Sequence, residues 1–306
     1  MFKDDKERFI GAILGLAVGD ALGAPLEFRD DCPYPNITEM HSCAHLPGGY
    51  WTDDTSMALC IIDSMVNREV FDLKDQMDNF VKWYKEGFLS SRGYCFDIGN
   101  TIREALDFYI HRGEINTEID TFDNNLSNGA LMRLAPVPLY YHNNVREAAK
   151  KSIEHTILTH PSVMCCEASA LFSTLLTCCF HDNMNKQALL QDVVGYAEEL
   201  FPGLEKWFRE FVMNPQRPNT KEHSGYVMTS LEMALWAFLT TKNFNSGAIE
   251  CINWGGDTDT YAAIYGQLAG TYYGYASIKE SWTRDLYQCD KIIEFALMLF
   301  NLKKRK

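Results

Sequence analysis

No C-x-x-C pair occurs in this chain, although it carries ten cysteines: Cys32, Cys43, Cys60, Cys95, Cys165, Cys166, Cys178, Cys179, Cys251 and Cys289. That absence excludes paired-cysteine zinc sites and thioredoxin-type redox motifs. Cys165–Cys166 and Cys178–Cys179 fall in an apolar stretch, which suits buried reduced thiols better than a disulfide framework. A reducing, cytoplasmic compartment is the expectation. Positive charge is scarce too: 28 Lys and Arg stand against 41 Asp and Glu, a formal net charge of -13. Such a surface excludes general affinity for nucleic acid or anionic membrane.

Other signals are missing. The N-terminal "MFKDDKERF" has no apolar signal-peptide core. There is no G-x-x-x-x-G-K-[ST], no H-E-x-x-H and no G-x-S-x-G, which removes the P-loop, zincin and nucleophile-elbow classes. Alternating strands, internal repeats, low-complexity tracts and Pro/Gly linkers are absent. The one membrane-like stretch, 162–180, contains Glu167 and several hydroxyls and lacks basic flanks. It reads as a buried core helix. His41 and His45 have the i,i+4 spacing of a zinc pair, but the neighbouring Pro47 and Gly48 make helical geometry doubtful there.

What remains is helix. The chain has 306 residues and 46% hydrophobic content, enough for a core. Apolar residues recur at three and four through "TSMALCIIDSMVN", "LKDQMDNFVKWYKEGF", "NTIREALDFYI", "NVREAAKKSIEHTILT", "QALLQDVVGYAEEL", "YVMTSLEMALWAFLTT" and "CDKIIEFALMLFNL". The expected architecture is all-α, one multi-helix domain over 1–300, with 301–306 as a solvated basic tail. In "RFIGAILGLAVGDALGAPLEF", Gly11, Gly15, Gly19 and Gly23 stand four apart on one helix face, where they admit a second helix at close range. The end of that helix, with Asp20 and Glu27, is expected to border a site. The loop Asn214 to Gly225 is long and polar, and such loops are often functional.

Two acidic clusters stand out. "YWTDDTS" holds Thr52, Asp53 and Asp54; "NWGGDTDT" holds Asp257, Thr258, Asp259 and Thr260. Each follows a Gly-rich turn and enters an apolar helix. One acid suffices to complement a helix N-terminus; two clusters of two exceed that task. If the loops converge, only cations could hold the carboxylates together. All-oxygen ligands select Mg2+, Mn2+ or Ca2+. Capping and metal binding both fit the spacing alone. "LSNGALMRLAP" and "LTHPSV" are polar turns entering apolar runs; each reads as a helix cap or as amides presented to a phosphate.

Seven segments in order, "GAILGLAVGDALGAPLEF", "GGYWTDDTSMAL", "FDIGNTIREAL", "SNGALMRLAPVPL", "THPSVMCCEASAL", "SGYVMTSLEMALWAF" and "NWGGDTDTYAAIYGQLAGTYYG", resemble the ADP-ribosylglycohydrolase family. The resemblance implies an all-helical fold with two Mg2+ or Mn2+ ions in a central cleft. It places Thr52, Asp53, Asp54, Asp257, Asp259 and Thr260 on the metal-ligand positions. It implies removal of ADP-ribose from modified targets by cleavage at the distal ribose. Glu27 matches a glutamate over the metals. Asp97 matches an aspartate near the guanidinium in arginine-specific members, which tilts the expected linkage toward arginine on protein. Asp54, Asp97, Asp257 and Glu27 are the expected catalytic residues, an ionised metal-bridging aspartate taking the proton from water. Asn100, Ser127, Asn128, Gly129 and Met132 match residues beside the ligand, His160 a histidine near its phosphates, and Gly225 and Tyr226 the adenosine end. Thr229-Ser230 stands where many members have Asp-Thr, and this leaves target choice open. Alternatives are an ADP-ribose sensor, a silent structural relative, or a hydrolase of serine- or nucleic-acid-linked ADP-ribose. The partner expected is an ADP-ribosylated protein or small molecule, met by a monomer without membrane or nucleic acid.

Overall fold

Every regular element among the described residues of the computed structural model (4–29, 37–119, 126–181, 185–220 and 222–305) is helical. Fourteen α-helices follow in order: α1 (Asp5–Gly23), α2 (Asp53–Arg68), α3 (Leu73–Glu86), α4 (Asn100–Arg112), α5 (Pro136–Tyr140), α6 (Val145–Ile157), α7 (Val163–Cys178), α8 (Lys186–Leu200), α9 (Glu205–Met213), α10 (Val227–Thr240), α11 (Phe244–Ile252), α12 (Thr258–Tyr273), α13 (Glu280–Asp285) and α14 (Cys289–Lys304). Cys32, Lys221 and Lys306 lie outside the described residues. The expected all-α architecture is what the chain adopts. The apolar stretch 162–180 forms α7, buried along most of its length but short. Among the described residues, the helix long and apolar enough to cross a membrane is instead α1 with the turn after it, Asp5–Leu26, which lies almost wholly buried inside the protein. The basic residues 303 and 304 continue α14, and Leu302 beside them is buried. Sequence periodicity missed α9, a short amphipathic helix that buries only Phe208 and Phe211, and the shorter α5 and α13.

The glycine row positions everything else. α1 lies directly on α12, backbone against backbone. A Cβ at Gly15 would stand 2.3 Å from the Gly266 carbonyl oxygen, and one at Gly19 would stand 2.0 Å from that of Ala262. α12 answers with its own glycines, since a Cβ at Gly270 would meet the Gly11 oxygen at 1.9 Å. Four glycines in one helix cost roughly 1 kcal/mol each in helix propensity, and the close contact along the whole seam offsets this. Gly19→Ala is therefore expected to destabilise the protein by about 3 kcal/mol in urea unfolding. Gly195→Ala in α8 is the control: its Cβ meets nothing within 4 Å, so a gain of roughly 0.5–1 kcal/mol is expected. Equal effects at the two positions would remove the seam from the account.

Six helices are capped by a side chain at their own N-cap: Asp4, Asp72, Asn144, Ser162, Asn185 and Asn243 accept from the following turn of α1, α3, α6, α7, α8 and α11. α2, α4, α10 and α12, like α5, α9, α13 and α14, have no such bond. Residues at or just before the starts of α2, α4, α10 and α12 line one cleft.

Candidate metal centre and substrate cleft

α2 is capped from another helix. Asp20 of α1, fully buried, accepts from Thr52 N at 2.9 Å, Thr52 Oγ1 at 3.0 Å, Thr55 N at 3.1 Å and Thr55 Oγ1 at 2.6 Å. Burial pushes its carboxyl up to about 6 even with four donors opposing the rise. With Asp20 satisfying the helix start, Asp53 and Asp54 are left to face the cleft.

The second acidic loop arrives through Gly255 and Gly256, both in the left-handed region at φ 75° and 85°. A Cβ on Gly256 would stand 2.5 Å from the Thr220 carbonyl oxygen, so the turn requires glycine. Thr258 turns away and donates to Gly23 O at 2.9 Å, which ties α12 to the end of α1. Asp259 Oδ1 accepts from Thr260 N at 2.9 Å, and Thr260 Oγ1 donates to Asp54 Oδ1 at 3.5 Å, linking the two motifs directly. Phe28 N donates to Gly256 O at 2.9 Å and so draws the neighbouring Glu27 toward the same loop. Carboxylate oxygens of Glu27, Asp257 and Asp259 lie within 4.8 Å of one another.

These groups line an open cleft of about 510 Å³. Of the residues singled out from sequence, Glu27, Asp53, Asp54, Asp97, Asn100, Ser127, Asn128, Gly129, Met132, Gly225, Asp257, Asp259 and Thr260 share its wall. Three stand back from it. Thr52 is turned toward Asp20. His160 is fully buried behind Ser127, its Nε2 2.8 Å from Ser127 Oγ. Tyr226 follows Gly225 as the N-cap of α10 and opposes Ser127 in an isolated backbone bridge. The long polar loop contributes Ser224 and Gly225 to the wall, and the Arg217 guanidinium lies over the Trp254 ring at 3.7 Å. His41 and His45 both lie outside helices.

The electrostatics ask for a cation. Burial, followed by mutual repulsion, holds the Asp53, Asp54 and Asp259 carboxyls well above their ordinary range. Burial and the charges of Asp97, Asp257 and Asp53 push Glu27 up to about 10, where its proton is given to Asp97 in a hydrogen bond. Asp97 is raised by burial and by Asp257, while the Glu27 bond opposes the rise. No ion pair among the described residues reaches any of these groups. Asp54 Oδ2 is buried with no partner at all. A lone buried carboxylate oxygen costs about 1–3 kcal/mol, and a hard divalent cation is the ligand that this all-oxygen donor set fits.

Two contacts were not legible from the motifs. Asn128 Nδ2 donates to Asp257 Oδ2 at 2.8 Å and to Ser230 Oγ at 2.8 Å. Asn128 thus fixes the orientation of Asp257, and Ser230, half of the Thr229-Ser230 departure, holds Asn128 in turn. Asp97 adopts φ 64°, an uncommon conformation for a non-glycine residue, on the loop leading into α4. Its place opposite Glu27 comes from that backbone geometry, which "FDIGN" does not announce.

This geometry agrees with the comparisons. A family model described as ADP-ribosylglycohydrolase matches residues 1–306. The chain is 33% identical over 294 residues to ADP-ribosylarginine hydrolase Tri1 of Serratia proteamaculans (strain 568), covering 95% of this chain and 78% of that protein. It is 28% identical over 288 residues to the ADP-ribosyl-[dinitrogen reductase] glycohydrolase of Rhodospirillum rubrum, covering 92% and 90%. A solved structure described as an ADP-ribosylglycohydrolase-related protein complex superimposes with a TM-score of 0.83 at 36% identity, over 98% of this chain and 99% of that one. With the fold, the paired acidic loops and the full-length match in agreement, the chain belongs to the ADP-ribosylglycohydrolase family, whose members hydrolyse glycosidic bonds.

Proposed function

We propose that the protein removes ADP-ribose from arginine side chains of modified proteins, with two Mg2+ or Mn2+ ions held by Thr52, Asp53, Asp54, Asp257, Asp259 and Thr260. The observation that carries this reading is the meeting of Asp53, Asp54, Asp257 and Asp259 with Glu27 and Asp97 in one cleft, with no ion pair to any of them among the described residues. Bound there, the ions supply positive charge that polarises the oxygens of ribose and water.

The chain's own residues do the rest. Asn128 holds Asp257 in register through its amide. Cleavage at the ribose builds oxocarbenium-like charge at the anomeric carbon, and the surrounding carboxylates stabilise it. Water adds its hydroxyl to that carbon; its proton passes by way of Asp54 or Asp257 to the guanidine nitrogen whose bond breaks. Asp97, at the cleft wall beside Glu27, accepts hydrogen bonds from the departing guanidinium in a charge-assisted pair. Glu27 gives its proton to Asp97 while no guanidinium is there and yields that place to the substrate.

An arginine-linked and a serine-linked ADP-ribosyl peptide, each incubated with Mg2+ or EDTA, test the reading. Release from the arginine peptide, stopped by EDTA, is expected. Asp97→Ala should lower that turnover by about a hundredfold while ADP-ribose still binds with wild-type affinity. Release from the serine peptide alone, or unchanged turnover in Asp97→Ala, overturns the arginine assignment.

A further inference from the structure

Arg133, from the "SNGALMRLAP" segment, is fully buried, and no carboxylate among the described residues pairs with it. Its ring contact is Phe80, 4.7 Å below the guanidinium. A guanidinium donates five N–H groups and accepts nothing, so every polar partner must turn a lone pair toward it. Nη2 donates to Thr159 Oγ1 at 2.6 Å. Thr159 is thereby an acceptor, and the acceptor within reach of its own proton is His160 Nδ1, at 2.7 Å. His160 must then carry its proton on Nε2, which lies 2.8 Å from Ser127 Oγ. Ser127 accepts that bond, and its own proton is left to point at Thr101 Oγ1, a long 3.2 Å away, or at a ligand.

Protonation does not interrupt this chain. Burial, with the Arg133 charge adding to it, pushes His160 down to about 3, so the imidazole stays neutral. Nor does a side chain intrude, because a Cβ at Gly129 would stand 2.9 Å from His160 Cε1. The other arm obeys the same logic: Arg133 Nε donates to His155 Nε2 at 3.2 Å, and His155 Nδ1 lies 2.8 Å from Gln76 Oε1. Where the first arm meets the cleft, the wall offers donors. Ser127 and Thr101 stand beside the start of α4, whose first amides have no side-chain cap. The cleft therefore has an acidic half that suits cations and a donor half that suits anionic oxygen.

We infer that Arg133 is a positioning residue: its fixed donor polarity, passed through Thr159 and His160, makes Ser127 an obligate hydrogen-bond donor to a phosphate oxygen of the ligand. The ligand part rests on the proposed occupation of this cleft by ADP-ribose; the polarity part does not. Two measurements separate them. Long-range 1H–15N correlation on histidine-labelled protein reads the His160 tautomer directly. The Nε2–H form is expected in the wild type, without titration between about pH 5.5 and 8. Thr159→Val, nearly isosteric, removes the relay; it should mix the tautomers and weaken ADP-ribose binding in Mg2+ about tenfold by calorimetry, the loss of one good hydrogen bond. Thr159→Ser should restore both. An Nδ1–H tautomer in the wild type overturns the polarity assignment. So does a Thr159→Val protein that keeps the wild-type tautomer. Thr159→Val binding ADP-ribose within twofold of wild type overturns the role of Ser127, and failure of the wild type to bind ADP-ribose overturns the ligand part, with the tautomer still deciding the role of Arg133.

Discussion

Asp54→Asn is expected to abolish saturable Mg2+ binding and to lower kcat/KM by about three orders of magnitude or more, while the metal-free protein unfolds at the same temperature as wild type or higher. The substitution keeps shape and removes one charge. Asp54 Oδ1 makes only the long 3.5 Å contact with Thr260, and Oδ2 has no partner. A carboxylate serving the fold would leave donors stranded when neutralised, and stability would drop. A carboxylate serving an ion leaves none, and the fold loses one of several carboxyls crowded into a buried site. Calorimetric Mg2+ affinity within threefold of wild type would remove Asp54 from the metal site. A fall in the melting temperature of the EDTA-treated variant would assign it to the fold instead.

Removing the metal should make stability fall with rising pH, and adding it should cancel the fall. Glu27 is held at about 10 and Asp20 at about 6, and Asp53, Asp54 and Asp259 are raised as well. The unfolded chain releases these protons near pH 4; the folded metal-free chain keeps them to higher pH. Between the two, the native state binds more protons than the unfolded state, so unfolding free energy decreases as pH rises. Stability from these groups is complete below about pH 4 and is lost as pH climbs through the folded values. A divalent ion displaces the same protons and binds only the assembled site, so its stabilisation grows with pH. Melting curves in EDTA and in saturating Mg2+ at pH 6 and pH 8 check this. The gap should widen with pH and reach about 5–10 °C at pH 8 for a chain of this size. A gap that is constant or narrows from pH 6 to pH 8 would mean that the ion does not sit among these carboxylates.

The acidic motifs were readable because each is a local excess: two carboxylates at a helix start where one suffices. The glycine row was readable for the same reason, as four costs to helix stability with a common face. What sequence could not supply was reciprocity between distant positions. Asp20 looks like an ordinary acid near a helix end, and only the fold shows that it caps α2 across 32 and 35 residues. Asn128 looks like a turn residue, and its grip on Asp257 spans 129 positions. Thr52 and Asp53 adjoin in sequence, yet Thr52 gives its hydroxyl proton back to Asp20, which leaves only oxygen lone pairs to face an ion. The family resemblance puts His160 near the phosphates, and the fold sets it one residue behind the wall, against Ser127. In each case neighbours in sequence share a loop but not a direction, and side-chain direction is set by contacts that composition does not encode.

The seam between α1 and α12 also sets a timetable. Gly23 and Thr258, which it joins, are 235 residues apart. A growing chain that has not yet released Asp257, Asp259 and Thr260 from the ribosome has nothing to lay against the glycine face of α1. In that unfinished chain Asp53 and Asp54 are two ordinary acids at a helix start, with no reason to retain a divalent ion. Loop closure over so long a separation comes after the local helices have formed. Synthesis itself therefore withholds the assembled cleft: its two acidic loops can meet only once Asp257, Asp259 and Thr260 have emerged.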